Sequence, residues 1–267
     1  MGSFKEATAI EATGDGEFTA ELDPQWAVGT KLHGGYLLAV VARAAADLAE
    51  HPHLTAISGS FPRAPKPGPV TVQVEFLQAT RSLTQLRASL VQDGQSCVEA
   101  LVTQGTLSDA DPWWTSVSEP DMFAEQDGVR FPSSTPDGTF KVPILDVVET
   151  RIAPSVLGGF AKGESQGTGS LCTWQRLADG SDWDPLSLLV ALDPVPPVSM
   201  ELGMFGWAPT LQFSAYIRRL PAPGPLRVRL DANDISDNRM DETAFAWDSS
   251  GRLVGQASQF AAVRLPR

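Results

Sequence analysis

Phe61-Pro-Arg-Ala-Pro-Lys-Pro-Gly-Pro-Val-Thr-Val-Gln-Val-Glu75 returns later in the chain as Ile217-Arg-Arg-Leu-Pro-Ala-Pro-Gly-Pro-Leu-Arg-Val-Arg-Leu-Asp231. Each copy runs from a Pro-x-Pro-Gly-Pro loop into an alternating strand, and further strand signals follow around Gln92-Asp-Gly-Gln and Ser249-Ser-Gly-Arg. A repeat on this scale reads as a tandem duplication. The two halves can then be compared position by position, so a residue that is polar in one copy and apolar in the other stands out.

Working outward from the first copy, Gly34 opens a run, Gly-Gly-Tyr-Leu-Leu-Ala-Val-Val-Ala-Arg-Ala-Ala-Ala-Asp-Leu-Ala-Glu, that is apolar nearly all round. Only Arg43, Asp47 and Glu50 form a polar stripe, which predicts a buried helix exposed along one line. Strands are expected at about 55–61, 70–77, 84–91 and 97–106, the second with Val70, Val72, Val74 and Phe76 alternating against Thr71, Gln73 and Glu75. The second half repeats this order. Cys172-Thr-Trp-Gln-Arg-Leu reads as a strand, Asp184-Pro185 as the start of a helix through Leu192, and strands follow at about 210–217, 226–232, 242–247 and 253–263. A helix followed by an antiparallel sheet, twice over, is an α+β pattern. Residues 1–108 and 145–267 are the expected halves, and 109–144, rich in Pro, Ser and Asp, is the expected linker, anchored by Trp113, Trp114, Phe123 and Phe131.

Composition narrows the function. With 267 residues, 42% of them hydrophobic, the chain is globular and can bury a full core. A net charge of −12 argues against nucleic acid and anionic membranes as partners, since excess Asp and Glu repel phosphate. No apolar run approaches the ~20 residues that span a bilayer. Two cysteines, Cys97 and Cys172, fit no disulfide or metal framework, and the start of the chain carries no signal-peptide pattern, so the expected location is the cytoplasm. The three histidines, His33, His51 and His53, lack zinc spacing. Gly163-Glu-Ser-Gln-Gly167 matches the Gly-x-Ser-x-Gly elbow of serine hydrolases, but no apolar helix follows and every histidine precedes Ser165, which leaves the serine without a base.

His33-Gly-Gly-Tyr-Leu-Leu, the two Pro-x-Pro-Gly-Pro loops, Trp174-x-Arg with Ala-Asp-Gly after it, Leu-Asp193 before its prolines, and the closing Gly251-Arg-Leu-Val with Gln259 together resemble the double-hotdog acyl-CoA thioesterases. The similarity is closest to the thioesterase-like branch of the acyl-CoA thioesterase II family and covers roughly residues 20–108 and 145–265. It implies a tandem, or double, hotdog: two antiparallel sheets, each wrapped around a central helix. It further implies hydrolysis of an acyl-CoA, with a catalytic set carried over to Asp193, Thr210 and Gln259, and no metal or redox cofactor. The interval from Asp193 to Thr210 is shorter than in the family's classical members, which points to a widened or reshaped acyl pocket, and Gln212 stands where many of them have an acidic residue.

The repeat tests the assignment independently. Aligning the proline loops sets Thr210 opposite Leu54, and aligning the glycine turns sets Gln259 opposite Val102. Gln259 shares a strand face with Gly255, Ala257 and Ala261, where an unpaired amide would cost on the order of 1–3 kcal/mol. A structural hydrogen bond is the alternative role for Gln259, turn chemistry the alternative for Asp193, and tight packing the alternative to substrate approach for Gly34 and Gly35. His33 is expected at the pocket rim with the glycines, as part of the substrate-binding set. Arg63, Lys66, Arg218 and Arg219 are read as surface charge, with coenzyme A phosphates as the other option. Two rival functions remain: an acyl-thioester-binding protein without catalysis, and a hotdog dehydratase, which would carry a histidine on the second helix where this chain has none. Acyl chain length and assembly into a homo-oligomer are left open.

Overall fold

Period-two alternation drives the architecture. Val70, Val72 and Val74 are buried while Gln73 and Glu75, which alternate with them, are exposed, so each such strand offers one apolar face for a helix to cover. The computed structural model describes residues 3–135 and 137–265. A helical turn α1 (Phe4–Ala7), the hairpin β1 (Ile10–Gly14) and β2 (Glu17–Leu22), and a small ribbon of β3 (Ala27–Val28) and β4 (Lys31–Leu32) precede the long helix α2 (Gly34–Asp47). Four strands complete the first half: β5 (His53–Ser60), β6 (Gly68–Ala79), β7 (Leu83–Gln92) and β8 (Gln95–Gly105). Beyond the connection lie β9 (Val129–Arg130), α3 (Ile144–Val147), β10 (Val148–Ile152), α4 (Pro154–Phe160), β11 (Ser170–Leu177) and α5 (Leu188–Ala191). The chain closes with β12 (Thr210–Ile217), β13 (Leu226–Ser236), β14 (Arg239–Trp247) and β15 (Leu253–Ala262).

Thirteen strands form one sheet, in the order β1-β2-β6-β7-β8-β5-β12-β15-β14-β13-β11-β10-β9. The two expected antiparallel sheets are thus joined into one continuous sheet. Each half does build its own sheet, but β5 and β12 are the inner edges of the two, and they pair antiparallel from Ala56–Ser60 to Gln212–Tyr216. An unpaired edge exposes a row of N–H and C=O groups, and this pairing satisfies them. The order reads the same from the seam in either direction once β5 is matched with β12, β8 with β15, β7 with β14 and β6 with β13. That is the signature of a pseudo-twofold axis between repeats.

The helices are unequal. Helix α2 buries Tyr36 to Ala42 completely or nearly so and packs across β5, β6, β7 and β8. Of its polar stripe, Arg43 is half-buried and donates from Nε to Thr8 Oγ1 at 2.8 Å, while Asp47 is exposed. The expected second helix starts as foreseen, with Asp184 Oδ1 accepting from the Leu186 and Ser187 N–H groups, but only Leu188–Ala191 is helical. Turns fill 185–187, and the prolines at 194, 196 and 197, which lack an N–H to donate, forbid continuation. This stub packs against α2 rather than spanning the second sheet.

The connection also departs from expectation. Trp113 and Trp114 are 101% and 71% exposed and anchor nothing. Phe123 accepts through its carbonyl from the Trp174 indole N–H at 2.8 Å, and Phe131 packs on the core.

Candidate active site

Helix α2 opens at His33, whose extended backbone and ring make it the N-cap. Its Nδ1 accepts from the Tyr36 N–H at 3.3 Å and its Nε2 lies 2.5 Å from the Asp193 main-chain oxygen. A carbonyl only accepts, so Nε2 carries the hydrogen and Nδ1 is the free lone pair, and this one tautomer satisfies both contacts. Asp193, just past α5, returns the contact: its Oδ2 accepts from the Gly35 N–H at 2.8 Å and sits 3.5 Å from His33 Nε2. The carboxylate thus lies where the helix macrodipole is positive. Its Oδ1 has no hydrogen bond among the described residues and is the oxygen left for the cavity that Asp193 borders.

The two glycines do different jobs. A Cβ on Gly35 would come 2.2 Å from the Leu189 carbonyl oxygen, so Gly35 is the contact that lets α5 close on α2. A Cβ on Gly34 would come 2.9 Å from Asp193 Oδ2, 3.4 Å from Phe61 Cζ and 3.6 Å from Thr210 Oγ1. Carboxylate and hydroxyl therefore border one methyl-sized space above Gly34. The Gly34 N–H points from the helix start with no partner among the described residues, whereas the Gly35 N–H is taken by Asp193. Gly35 does not border the cavity, which corrects its expected place beside substrate.

Thr210 owes its position to a bulge. Thr210 pairs with Ala261 and Gln212 with Phe260, so β12 carries one residue more than β15 there. Under unbroken alternation Thr210 would share the outward face of Gln212, which is exposed; the extra residue shifts the alternation by one, and the hydroxyl turns inward. The equivalent shift in β5, between Leu54 and Ala56, turns Leu54 into the first half's core.

Asp193, Thr210, Gln259, His33 and Gly34 all border one cavity of about 760 Å³. Its wall is chiefly apolar: Phe131, Phe140 and Val142 from the connection, Leu157 and Phe160 from α4, and Val195, Met200, Phe205 and Trp207 from the 194–209 segment. The short interval after Asp193 is thus one wall of the cavity, and the presumed linker is another. Of the repeated-loop cations, Arg63 lines the rim with Lys31. Arg219 is structural, donating to the Ala110 and Leu253 carbonyls, and Arg218 bonds the Gln256 side chain at the surface.

One cavity residue escaped the sequence reading. Glu242 is 4% exposed, on the inward face of β14 between Met240 and Ala244. Burial first, and then the charge of Asp193, push its carboxyl up to about 8. In register it lies directly opposite Gln259. Its counterpart in the first half is Leu86, which pairs with Val102 just as Glu242 pairs with Gln259. Comparing 242 with 86 was the available signal. Neither thiol competes as a nucleophile: burial pushes Cys172 up to about 11 and Cys97 upward, and neither borders the cavity. Ser165 is exposed in an irregular segment followed by β11, not by a helix. No cluster of potential metal ligands occurs among the described residues.

A model of the acyl-CoA thioesterase N-terminal domain matches residues 22–105, and one of the acyl-CoA thioesterase C-terminal domain matches residues 120–263. The chain belongs to the acyl-CoA thioesterase family. A crystal structure provisionally named a thioesterase II, from Thermobifida fusca, has a TM-score of 0.88 and 31% identity, covering 98% of this chain and 97% of that one. A hot dog fold protein from Alicyclobacillus acidocaldarius gives a TM-score of 0.85 at 20% identity, covering 99% and 98% of the two chains. An uncharacterized protein of Mycobacterium tuberculosis is 29% identical over 276 residues, 92% of this chain and 90% of its own length. No described helix is long and apolar enough to cross a membrane.

Proposed function

We propose that the chain hydrolyses an acyl-CoA, or a related thioester, to the free acid and thiol, with Asp193 as general base. The observation that carries this reading is the Asp193 carboxylate, held by the Gly35 N–H and bordering the same small space as the Thr210 hydroxyl at the edge of a large apolar cavity. In the proposed step Asp193 takes a proton from a water held by Thr210 and Gln259, and the water oxygen attacks the thioester carbon. The carbonyl π electrons move to oxygen, where the Gly34 N–H at the helix start meets the developing charge. Collapse breaks the C–S bond, and the thiolate leaves with the proton that Asp193 took. The apolar wall suits an acyl chain or aromatic acid, and Lys31 and Arg63 at the rim suit the phosphates of coenzyme A.

One productive site per chain is expected, because Leu54, Val102 and Leu86 stand in the first half where Thr210, Gln259 and Glu242 stand in the second. Titration with a non-hydrolysable acyl-CoA analogue reads this directly, and two equivalent tight sites would contradict it. Thiol release across a panel of acyl-CoAs tests the activity itself. Tight binding with no release from any of them would favour an acyl-thioester-binding protein instead.

A further inference from the structure

Glu242 and Gln259 face each other across β14 and β15 on the inward side of the sheet, where directly opposed side chains have Cβ atoms ~5 Å apart. Each holds a buried oxygen without a hydrogen-bond partner among the described residues, Glu242 Oε2 and Gln259 Oε1. Two acceptors cannot satisfy one another. A single proton on the carboxyl changes that, because it makes Glu242 a donor and pairs both oxygens at once. The first half has dispensed with the whole pair, using Leu86 and Val102 in the same register, so the polar pair is not needed to build the sheet.

We infer that Glu242, in its carboxylic acid form, donates a hydrogen bond to the Gln259 side-chain oxygen and so turns the Gln259 amide N–H groups toward the reacting water. This makes Glu242 a positioning residue, and it rests on the hydrolase reading above. The charges around it agree with a proton at neutral pH. Burial favours the neutral acid, and the charge of Asp193, beyond α5, acts the same way. His33 caps α2 with both ring nitrogens engaged, and Lys31 and Arg63 stand at the exposed rim. On Glu242's own strand Asp241 pairs with Asp234 of β13 on the outward, exposed face, and Asp231 of β13 is bonded to Arg229 and Ser170. No cation among the described residues pairs with Glu242 to hold it ionised.

The experiment compares Glu242→Leu and Glu242→Gln with the parent in thiol release from pH 6 to 10, alongside an infrared titration of the carboxyl C=O band. Glu242→Leu should lower kcat by about 10-fold to 100-fold with KM within about twofold, because it frees the Gln259 amide without touching the base. Glu242→Gln, still a neutral donor, should recover most of that loss. The parent should lose kcat as pH rises through about 8, the value at which Glu242 ionises, and Glu242→Gln should lack that decline. The infrared band of a protonated carboxyl should fade over the same range and be missing in Glu242→Gln. Parental kcat in Glu242→Leu, or an alkaline decline that persists in Glu242→Gln, overturns the inference. If the parent releases no thiol at all, the hydrolase reading fails. The infrared titration needs no turnover, so its failure overturns the Glu242 inference by itself.

Discussion

Ser58 and Ser214, equivalent positions of the two repeats, touch each other: their hydroxyl oxygens are 2.8 Å apart across the β5–β12 seam. A residue meets its own repeat mate only on the axis that relates the copies. The pseudo-twofold therefore passes through this pair, and the seam is the interface that two separate hotdog chains would form.

A disulfide tests that geometry. In the double variant Ser58→Cys, Ser214→Cys the new thiols should pair within one chain, because side chains this close on directly opposed strands meet the separation a disulfide needs. Closing so long a loop should raise stability by about 2–4 kcal/mol. Non-reducing electrophoresis and thermal unfolding, each with and without reductant, read the outcome. Cross-linking between chains instead of within them would show that the seam is misplaced.

Much of this was legible from residue pattern. Eight strands around the proline loops and glycine turns fell where alternation put them, and the asymmetry at 54/210 and 102/259 singled out two cavity residues. Three features were hidden for physical reasons. Pairing of β5 with β12 is a contact between halves, and no local pattern separates an edge strand that is paired from one that is free. The shortness of α5 lies at its start, where turns fill 185–187 behind the Asp184 cap, and a cap signal reads the same before a turn as before a helix. Phe131 and Phe140 wall the cavity while Trp113 and Trp114 face solvent, although all four sit in segments of similar composition.

Asp193→Asn separates general-base chemistry from turn structure. The amide keeps an oxygen to accept from the Gly35 N–H, so the helix start and the fold should be unchanged. What it loses is the capacity to take a proton from water, and kcat should fall by about 10²–10⁴-fold with ligand affinity nearly constant. Hydrolysis at the parental rate would remove Asp193 from the mechanism.

Gly34→Ala and Gly35→Ala should fail in opposite ways. The new methyl at 34 meets a carboxylate oxygen at 2.9 Å, the movable end of a side chain, so the protein should fold while the displaced Asp193 costs about 10²-fold in kcat. At 35 the methyl meets the Leu189 backbone at 2.2 Å, which cannot yield without moving α5, and stability should drop by about 1–3 kcal/mol. Paired measurements of kcat and Tm distinguish them; equal effects on both quantities would contradict the separate roles.

Glu242→Leu should gain stability over its parent as pH rises, even as it slows turnover. Leucine is what the first half uses at this position, but here it leaves the Gln259 oxygen without its donor, so below about pH 5 the gain from burying leucine and the loss of that hydrogen bond, about 1 kcal/mol each, should nearly cancel. The pH dependence has a definite sign. Glu242 has a folded pKa raised to about 8, above the value of about 4.3 expected in the unfolded chain, so the folded state holds a proton that the unfolded state gives up. Its contribution to stability is full below the lower value and is lost as pH rises toward the upper one. The Tm advantage of Glu242→Leu over the parent should accordingly widen between about pH 5 and about pH 8 and level off above that. A constant gap would mean that Glu242 titrates normally.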